Sequence, residues 1–237
     1  MVAMSDRDVL VAVAHGTRAP AGPVVLEELL GLVRDRLPGV DVRVAYVDVI
    51  GPTLEEVLTD LGGRAIVVPM FLASGYHVRV DVPAAVTATG SVATVTPALG
   101  PDPAIVAAVA DRLATAGASG TSSSGAAADS VVLAAAGSSD QDALAEVGVA
   151  ADRLATVLGV EVVPAYVTTA APAVGQAVAD LRAAGHRRVA VASYLLAPGL
   201  FQQRLSSAGA DVVAEPIGPH PLVADLIVAR YQSAARS

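Results

Sequence analysis

The chain contains no cysteine and no tryptophan, and only 3% of its residues are aromatic. Disulfides and thiolate metal sites are therefore excluded, and the core must be built from Val, Ala and Leu, which suits strands buried on both faces. No apolar run reaches the ~18 residues of a membrane span. The first ten residues, MVAMSDRDVL, lack the basic and apolar regions of a secretory signal, so a cytoplasmic protein is expected.

Lysine is also absent, and the formal net charge is −8 at pH 7. An acidic protein of this kind is a poor general partner for nucleic acid or an anionic membrane, although a local basic patch remains compatible with it. The length of 237 residues suffices for one large domain or two small ones.

Short β-branched runs alternate with amphipathic segments, a pattern typical of an α/β protein with a parallel sheet. In the first half, the alternation predicts strands at Asp8–Val13, Val40–Val47, Ala65–Leu72 and within 92–99, and helices at Pro23–Leu37, from Pro52 onward, at Val80–Ala88 and at Pro103–Thr115.

A stretch rich in Gly, Ala and Ser at 116–130, AGASGTSSSGAAADS, interrupts this pattern, and its composition predicts a linker. After it the pattern restarts as a repeat: VAVAHGT (11–17) matches VLAAAGS (132–138), and VVPMFLASGYH (67–77) matches VASYLLAPGLF (191–201). We therefore expect an N-terminal domain at 1–115 that carries the site, the linker, and a degenerate, structural domain at 131–237. The fold class predicted is α/β, with two tandem copies of a four-stranded parallel-sheet domain.

The two copies differ in their polar side chains. The first copy has His15, Asp48, His77 and Arg79 where the second has, in the same order, Ala136, Thr168, Phe201 and Gln203. A purely structural role gives no reason for the second copy to lose these side chains together. The difference favours a functional site in the first copy.

His15, Asp48 and His77 each follow a different predicted strand, and ligands of parallel α/β sheets bind beyond the carboxyl ends of the strands. Two imidazoles and a carboxylate are a reasonable ligand set for a divalent first-row metal. Taken singly, each histidine is more often a hydrogen-bonded turn residue, and Asp48 more often a cap. The alternative role for Gly16 and Gly75 is to allow a tight turn. The alternative for Arg18 and Arg79 is that they are ordinary solvated residues. His186 and His220 are expected to be structural.

The segments AHGTR (14–18), AYVDVIGPTLEEVL (45–58) and PMFLASGYHVRVDVP (69–83) resemble the CbiX/SirB-type sirohydrochlorin chelatases in their long, two-domain form. The resemblance covers Val9 to about Thr115, and the second half only as scaffold. It implies a class II chelatase-like fold with a cleft between two lobes that grips the macrocycle. It also implies that His15 and His77 bind the metal and act as catalytic residues. Asp48 stands where the family usually has Glu and is the third implied ligand.

The implied reaction is insertion of Fe²⁺ or Co²⁺, with Ni²⁺ a further candidate, into sirohydrochlorin in siroheme or cobalamin biosynthesis. The metal is a substrate, and no permanent cofactor is expected. Arg18, Gly75 and Arg79 are the expected substrate-binding residues, and a monomer is expected because a second lobe replaces a partner subunit. A non-enzymatic metal or tetrapyrrole carrier is the alternative. A histidine-dependent phosphatase is disfavoured because Ala14, not Arg, precedes His15.

Overall fold

The computed structural model describes residues 8–118 and 127–236, so most of the linker expected at 116–130 lies outside the described residues. The first repeat contains, in chain order, β1 (Val9–Ala14), α1 (Ala21–Arg36), β2 (Val42–Tyr46), α2 (Leu54–Leu61), β3 (Ala65–Pro69), a π-helix (His77–Asp81), α3 (Val82–Thr89), β4 (Ala93–Val95) and α4 (Pro103–Thr115).

The second repeat has the same order of strands and helices, except that one short α-helix stands in place of both the π-helix and α3. It contains β5 (Ser130–Ala135), α5 (Gln141–Leu158), β6 (Glu161–Tyr166), α6 (Val174–Ala183), β7 (Val189–Tyr194), α7 (Leu200–Leu205), β8 (Val212–Val213) and α8 (Pro221–Ala234).

Each repeat forms one four-stranded sheet, with strand orders β2-β1-β3-β4 and β6-β5-β7-β8. All pairings are parallel. The predicted fold class, two tandem four-stranded parallel-sheet domains, is confirmed in this architecture. The order places β1 beside β3, where the strand order reverses, and this is the point at which open α/β sheets bind ligands.

The strands supply the core because both of their faces are covered by helices. In β1 and β3 the side chains of Leu10, Val13, Ile66 and Val68 are almost fully buried, as expected of β-branched runs in parallel sheets. Leu26, Leu29, Leu30 and Val33 of α1 are also buried. Within the described parts of the chain, no helix combines the length and apolarity needed to cross a membrane.

Helix α2 shows how local sequence sets the element boundaries near the site. Thr53 is its N-cap, its hydroxyl accepts from the Glu56 N–H, and the Glu56 carboxylate accepts from the Thr53 N–H in return. The helix therefore begins at Leu54, and Pro52 lies before it. The sequence expectation that Pro52 opens the helix is corrected by this capping box.

The compact units of the structure differ from the two sequence repeats. One unit takes the chain up to Leu99 and resumes at Pro219, and the other runs over Gly100–Gly218. Helix α4 packs on β7 and α5, whereas α8 packs on β3 and α1. Each repeat thus gives its last helix to the other repeat's sheet. The apolar stripe of α4 predicts that it packs on a sheet but does not say which.

Candidate functional site

The candidate site lies at the carboxyl ends of β1 and β3. These strands pair in parallel, with Val13 opposite Pro69. His15 follows the end of β1 directly, and His77 begins the π-helix after β3. Both histidines are thus positioned at the point where the strand order reverses, the expected ligand-binding edge.

The structure brings the two histidines together. Their ring centroids are 4.7 Å apart, and the ring planes are nearly perpendicular at 86°. His15 is exposed, and His77 is partly exposed. A first-row ion bonded to one nitrogen of each ring at about 2.1 Å requires those nitrogens to lie within about 4.2 Å of each other. The observed ring separation is compatible with a single ion held by both.

His77 is held by a carboxylate that the sequence reasoning missed. Its Nδ1 lies 2.6 Å from Oδ2 of Asp81, four residues later at the end of the π-helix. The helix closes by the Val82 N–H donating to the His77 carbonyl. The rings of Phe71 and Tyr76 flank His77, with centroids at 6.1 and 6.3 Å. The His77 side chain is therefore fixed by one polar and two aromatic contacts.

The turn that carries His15 requires a glycine after it. Gly16 has φ +93°, and a Cβ there would lie 2.2 Å from the carbonyl oxygen of Asp48. The Asp48 N–H in turn donates to the His15 carbonyl at 3.1 Å. Nδ1 of His15 lies 3.1 Å from the Gly16 carbonyl oxygen. The β1 and β2 turns therefore touch through their backbones, and no side chain larger than hydrogen fits at residue 16.

The Asp48 side chain is engaged in its own turn in this structure. Its Oδ1 accepts from the Val49 N–H at 2.7 Å, and Val49 has φ 71°, so the carboxylate stabilises its own turn. Over residues 8–118 and 127–236, no group of three or more His, Asp or Glu side chains is arranged to hold a metal ion. The three residues predicted as a ligand set are thus not grouped in this structure, and ligation by Asp48 stays a prediction.

The expected substrate-binding residues flank the two histidines. Arg18 is exposed, three residues after His15, and has no hydrogen bond or ion pair to any residue of the described chain. Arg79 is also exposed, and its Nε donates to the Ser74 carbonyl at 2.7 Å. The Gly75 carbonyl accepts from the N–H groups of Val78 and Arg79. The Gly75 contact is therefore part of the π-helix start, and the two arginines bring positive charge to this edge.

Exposed apolar side chains surround the same edge. Tyr76 is 63% exposed and Val80 43%, and Val49 beside Asp48 is also exposed. The other four tyrosines of the chain are all buried. An exposed tyrosine next to His77 is therefore unusual in a protein so poor in aromatic residues.

His186 and His220 take structural positions, as predicted. Nε2 of His186 lies 3.0 Å from the Glu161 carboxylate at the opposite edge of the second sheet. His220 is the N-cap of α8, where Nδ1 accepts from the Leu222 N–H. Comparison of the two repeats, which singled out His77, also singles out Asp81. The second repeat has Leu205 at the position that matches Asp81.

A family model described as CbiX matches residues 9–116 and again residues 130–234. A sirohydrochlorin cobaltochelatase of Methanococcoides burtonii is 32% identical over 84 residues, which cover 34% of this chain and 64% of that protein. One from Methanosarcina acetivorans is 30% identical over 84 residues, with 34% and 65% covered. The matched segment therefore spans less than two thirds of these curated relatives.

Two solved structures share the fold over nearly the whole chain. SirB from Bacillus subtilis with Fe³⁺ has a TM-score of 0.80 at 22% identity, with 97% of this chain and 96% of that chain covered. CbiX, described as the terminal enzyme for biosynthesis of siroheme in denitrifying bacteria, has a TM-score of 0.68 at 22% identity, with 96% of this chain and 99% of that chain covered. Since the family model matches most of the sequence in two consecutive copies, the chain belongs to the CbiX family.

Proposed function

We propose that this protein is a sirohydrochlorin chelatase, which inserts a divalent first-row metal, Fe²⁺ or Co²⁺, into the macrocycle. The observation that carries the proposal is the pairing of His15 with His77, 4.7 Å apart, at the ligand-binding edge of the first sheet. Imidazole nitrogens suit first-row divalent metals and accept protons near neutral pH. Membership of the CbiX family and the cobaltochelatase relatives support the same activity.

Insertion exchanges two protons for one metal ion. Two N–H bonds of the macrocycle break, the four ring nitrogens bind M²⁺, and two protons leave. The ion also loses the ligands it held before. In the proposed mechanism His15 and His77 hold the ion beside the ring and release it as the ring nitrogens bind it. The freed imidazoles then accept the two protons and pass them to water. Asp48 supports the turn and has no direct bond to the metal in this scheme.

The surroundings of the histidines suit a flat polyanion. Sirohydrochlorin bears eight carboxylates, and Arg side chains pair well with carboxylates. Arg18 and Arg79 give this edge local positive charge in a protein whose net charge is −8. The exposed Tyr76, Val80 and Val49 offer apolar surface for the face of the ring. Charge and apolar contact together are what a carboxylated macrocycle requires.

Both Fe²⁺ and Co²⁺ are retained as metal substrates. The curated relatives are named cobaltochelatases, and Bacillus SirB structures carry Fe³⁺ in one case and cobalt in another. Two histidines can bind either ion, because the affinity of imidazole ligands for Fe²⁺ and Co²⁺ follows the general order of the first-row metals and excludes neither ion. The product therefore belongs to siroheme or to cobalamin biosynthesis, according to the ion that the cell supplies.

The test is anaerobic insertion of Fe²⁺ and of Co²⁺ into sirohydrochlorin, followed by visible absorbance. The wild type is compared with a His15→Ala/His77→Ala double variant and with His186→Ala, which removes a histidine from the opposite edge of the other sheet. We expect catalysed conversion by the wild type and by His186→Ala, and loss of catalysis in the double variant.

A rate no higher than the uncatalysed control with either metal would contradict the proposal. Tight binding of the macrocycle or of metal without faster insertion would identify a carrier. Retention of most activity by the double variant would remove both histidines from the mechanism.

A further inference from the structure

We infer that Asp81 is a positioning residue that fixes the tautomer of His77, so that the Nε2 lone pair is the one available to the metal. The inference rests on the proposed function for its place in the reaction. The contact that carries it, Nδ1 of His77 to Oδ2 of Asp81 at 2.6 Å, is independent of that function.

The tautomer follows from what each atom can donate. A neutral imidazole has one N–H and one lone pair, and an ionised carboxylate only accepts hydrogen bonds. The 2.6 Å contact therefore requires the proton on Nδ1 and leaves the lone pair on Nε2. A hydrogen bond to a charged acceptor is about twice as strong as one between neutral groups. Asp81 thus holds both the proton and the orientation of the ring.

His15 is held in the same tautomer by a weaker partner. Its Nδ1 lies 3.1 Å from the carbonyl oxygen of Gly16, which is also only an acceptor. In the neutral state both rings therefore carry their proton on Nδ1. Each offers an Nε2 lone pair, the arrangement that two monodentate metal ligands require.

A helix-capping role does not explain Asp81. It occupies the N-cap position of α3, where Asp commonly accepts from a backbone N–H of the first turn. Here its side chain makes no such bond, and its backbone dihedrals are helical rather than extended. The carboxylate is used for His77 instead. The helix continues from the π-helix without a side-chain cap.

The second repeat loses both members of this pair. Phe201 replaces His77 and packs on the apolar core, and Leu205 replaces Asp81 with 1% of its surface exposed. An α-helix, α7, therefore forms at this position without the carboxylate when the histidine is absent. Asp81 accompanies His77, as a residue that acts through the imidazole should.

Loss of a carboxylate that orients a ligating histidine costs about 10- to 100-fold in metal affinity or activity in other proteins. We expect this range for Asp81→Leu, which copies the second repeat. Asp81→Asn should show an intermediate loss, since its amide oxygen still accepts from Nδ1–H without a charge. Asp60→Asn is the control because Asp60 is an exposed carboxylate of the same unit, paired with Arg43.

The experiment combines three measurements on the full chain. Proton–nitrogen NMR of ¹⁵N-histidine-labelled protein reports the tautomer, and comparison with His77→Phe assigns the His77 signals among the four histidines. Titration with Co²⁺ alone reports metal affinity. Insertion kinetics report kcat separately from KM for the macrocycle.

We expect an Nδ1–H signature for His77 in the wild type and in Asp60→Asn. In Asp81→Leu we expect loss of that signature, weaker Co²⁺ binding and lower kcat, with KM little changed. A wild-type His77 protonated on Nε2, or an Asp81→Leu variant with unchanged tautomer and Co²⁺ affinity, would overturn the inference. If the wild type inserts no metal, the proposed function fails, while the NMR and Co²⁺ titrations still decide the role of Asp81.

Discussion

The two repeats build the same turn at the end of their first strand. A Cβ on Gly16 would lie 2.2 Å from the Asp48 carbonyl oxygen, and one on Gly137 would lie 1.9 Å from that of Thr168. Both glycines have positive φ. The hydroxyls of Thr17 and Ser138 accept from the N–H two residues later in both copies. These features serve the turn, because they persist where the histidines do not.

What differs is the side chains that the turns present. The first repeat shows His15, His77 and Asp81 at its strand ends. The second repeat has Ala136 and Phe201 packed on its core, with Leu205 buried in it. The scaffold therefore needs none of the three polar groups. Their presence in one copy alone indicates that they serve chemistry, and variants that exchange residues between the copies test this directly.

The largest effect is expected from giving the first repeat the second repeat's residues, in His15→Ala/His77→Phe. Metal insertion should fall by at least about 100-fold, the lower end of what general acid–base groups contribute. The free energy of unfolding should change little, because the other repeat folds with Ala136 and Phe201. Insertion assays and chemical denaturation measure the two quantities. An unfolded variant, or one with near wild-type activity, would refute the separation of scaffold from chemistry.

The next comparison is Gly16→Ala against Gly137→Ala. Each added Cβ meets a backbone carbonyl, which cannot move aside as a flexible side chain can, and each forces L-residue strain at positive φ. We expect each variant to lose about 2–3 kcal/mol of stability. Denaturation curves measure that loss. In folded protein, insertion should fall only in Gly16→Ala, because only that turn carries a histidine. Equal losses of activity in both variants would show that damage to either turn lowers activity, so the loss in Gly16→Ala would not be due to His15.

The repeat and the alternation of elements were predictable from sequence because they depend on local patterns, such as the buried run of β1 and the apolar stripe of α1. The pairing of His15 with His77 was also predictable, since both follow strands that end at one edge of a parallel sheet. The sequence did not predict that α4 packs on the second sheet and α8 on the first. Two similar sheets offer equivalent apolar faces, and helical periodicity does not distinguish them.

The two carboxylates show the same limit at the site. Asp48 has the position of a ligand in the sequence, yet its side chain accepts from the Val49 N–H. Asp81 lies four residues after His77, a spacing that brings two side chains together in a helix, and the helix begins at His77 whereas the sequence predicted its start at Val80. Residue type and spacing predict which groups approach an edge. They do not predict which hydrogen bond a short carboxylate makes.

A smaller effect is expected for the arginines. Arg18→Ala should raise KM for the macrocycle by about 3- to 10-fold with kcat little changed, and so should Arg79→Gln, which copies the second repeat. The effect is small because an exposed arginine–carboxylate pair, screened by solvent, contributes only about 1 kcal/mol. Steady-state kinetics at two salt concentrations measure this, and Arg204→Ala on α7 is the control. A fall in kcat at constant KM would instead assign Arg79 to the loop it holds through Ser74.

The smallest effect is expected for Asp48→Asn. An amide oxygen can still accept from the Val49 N–H, so the turn should persist, whereas an amide is a much poorer metal ligand than a carboxylate. If Asp48 only stabilises its turn, insertion should stay within about threefold of wild type, a free-energy change of under about 1 kcal/mol. Asp48→Thr, which copies Thr168, is the matched variant. A 100-fold loss in Asp48→Asn with an unchanged fold would return Asp48 to the metal, and the first repeat would then differ from the second by a three-residue ligand set.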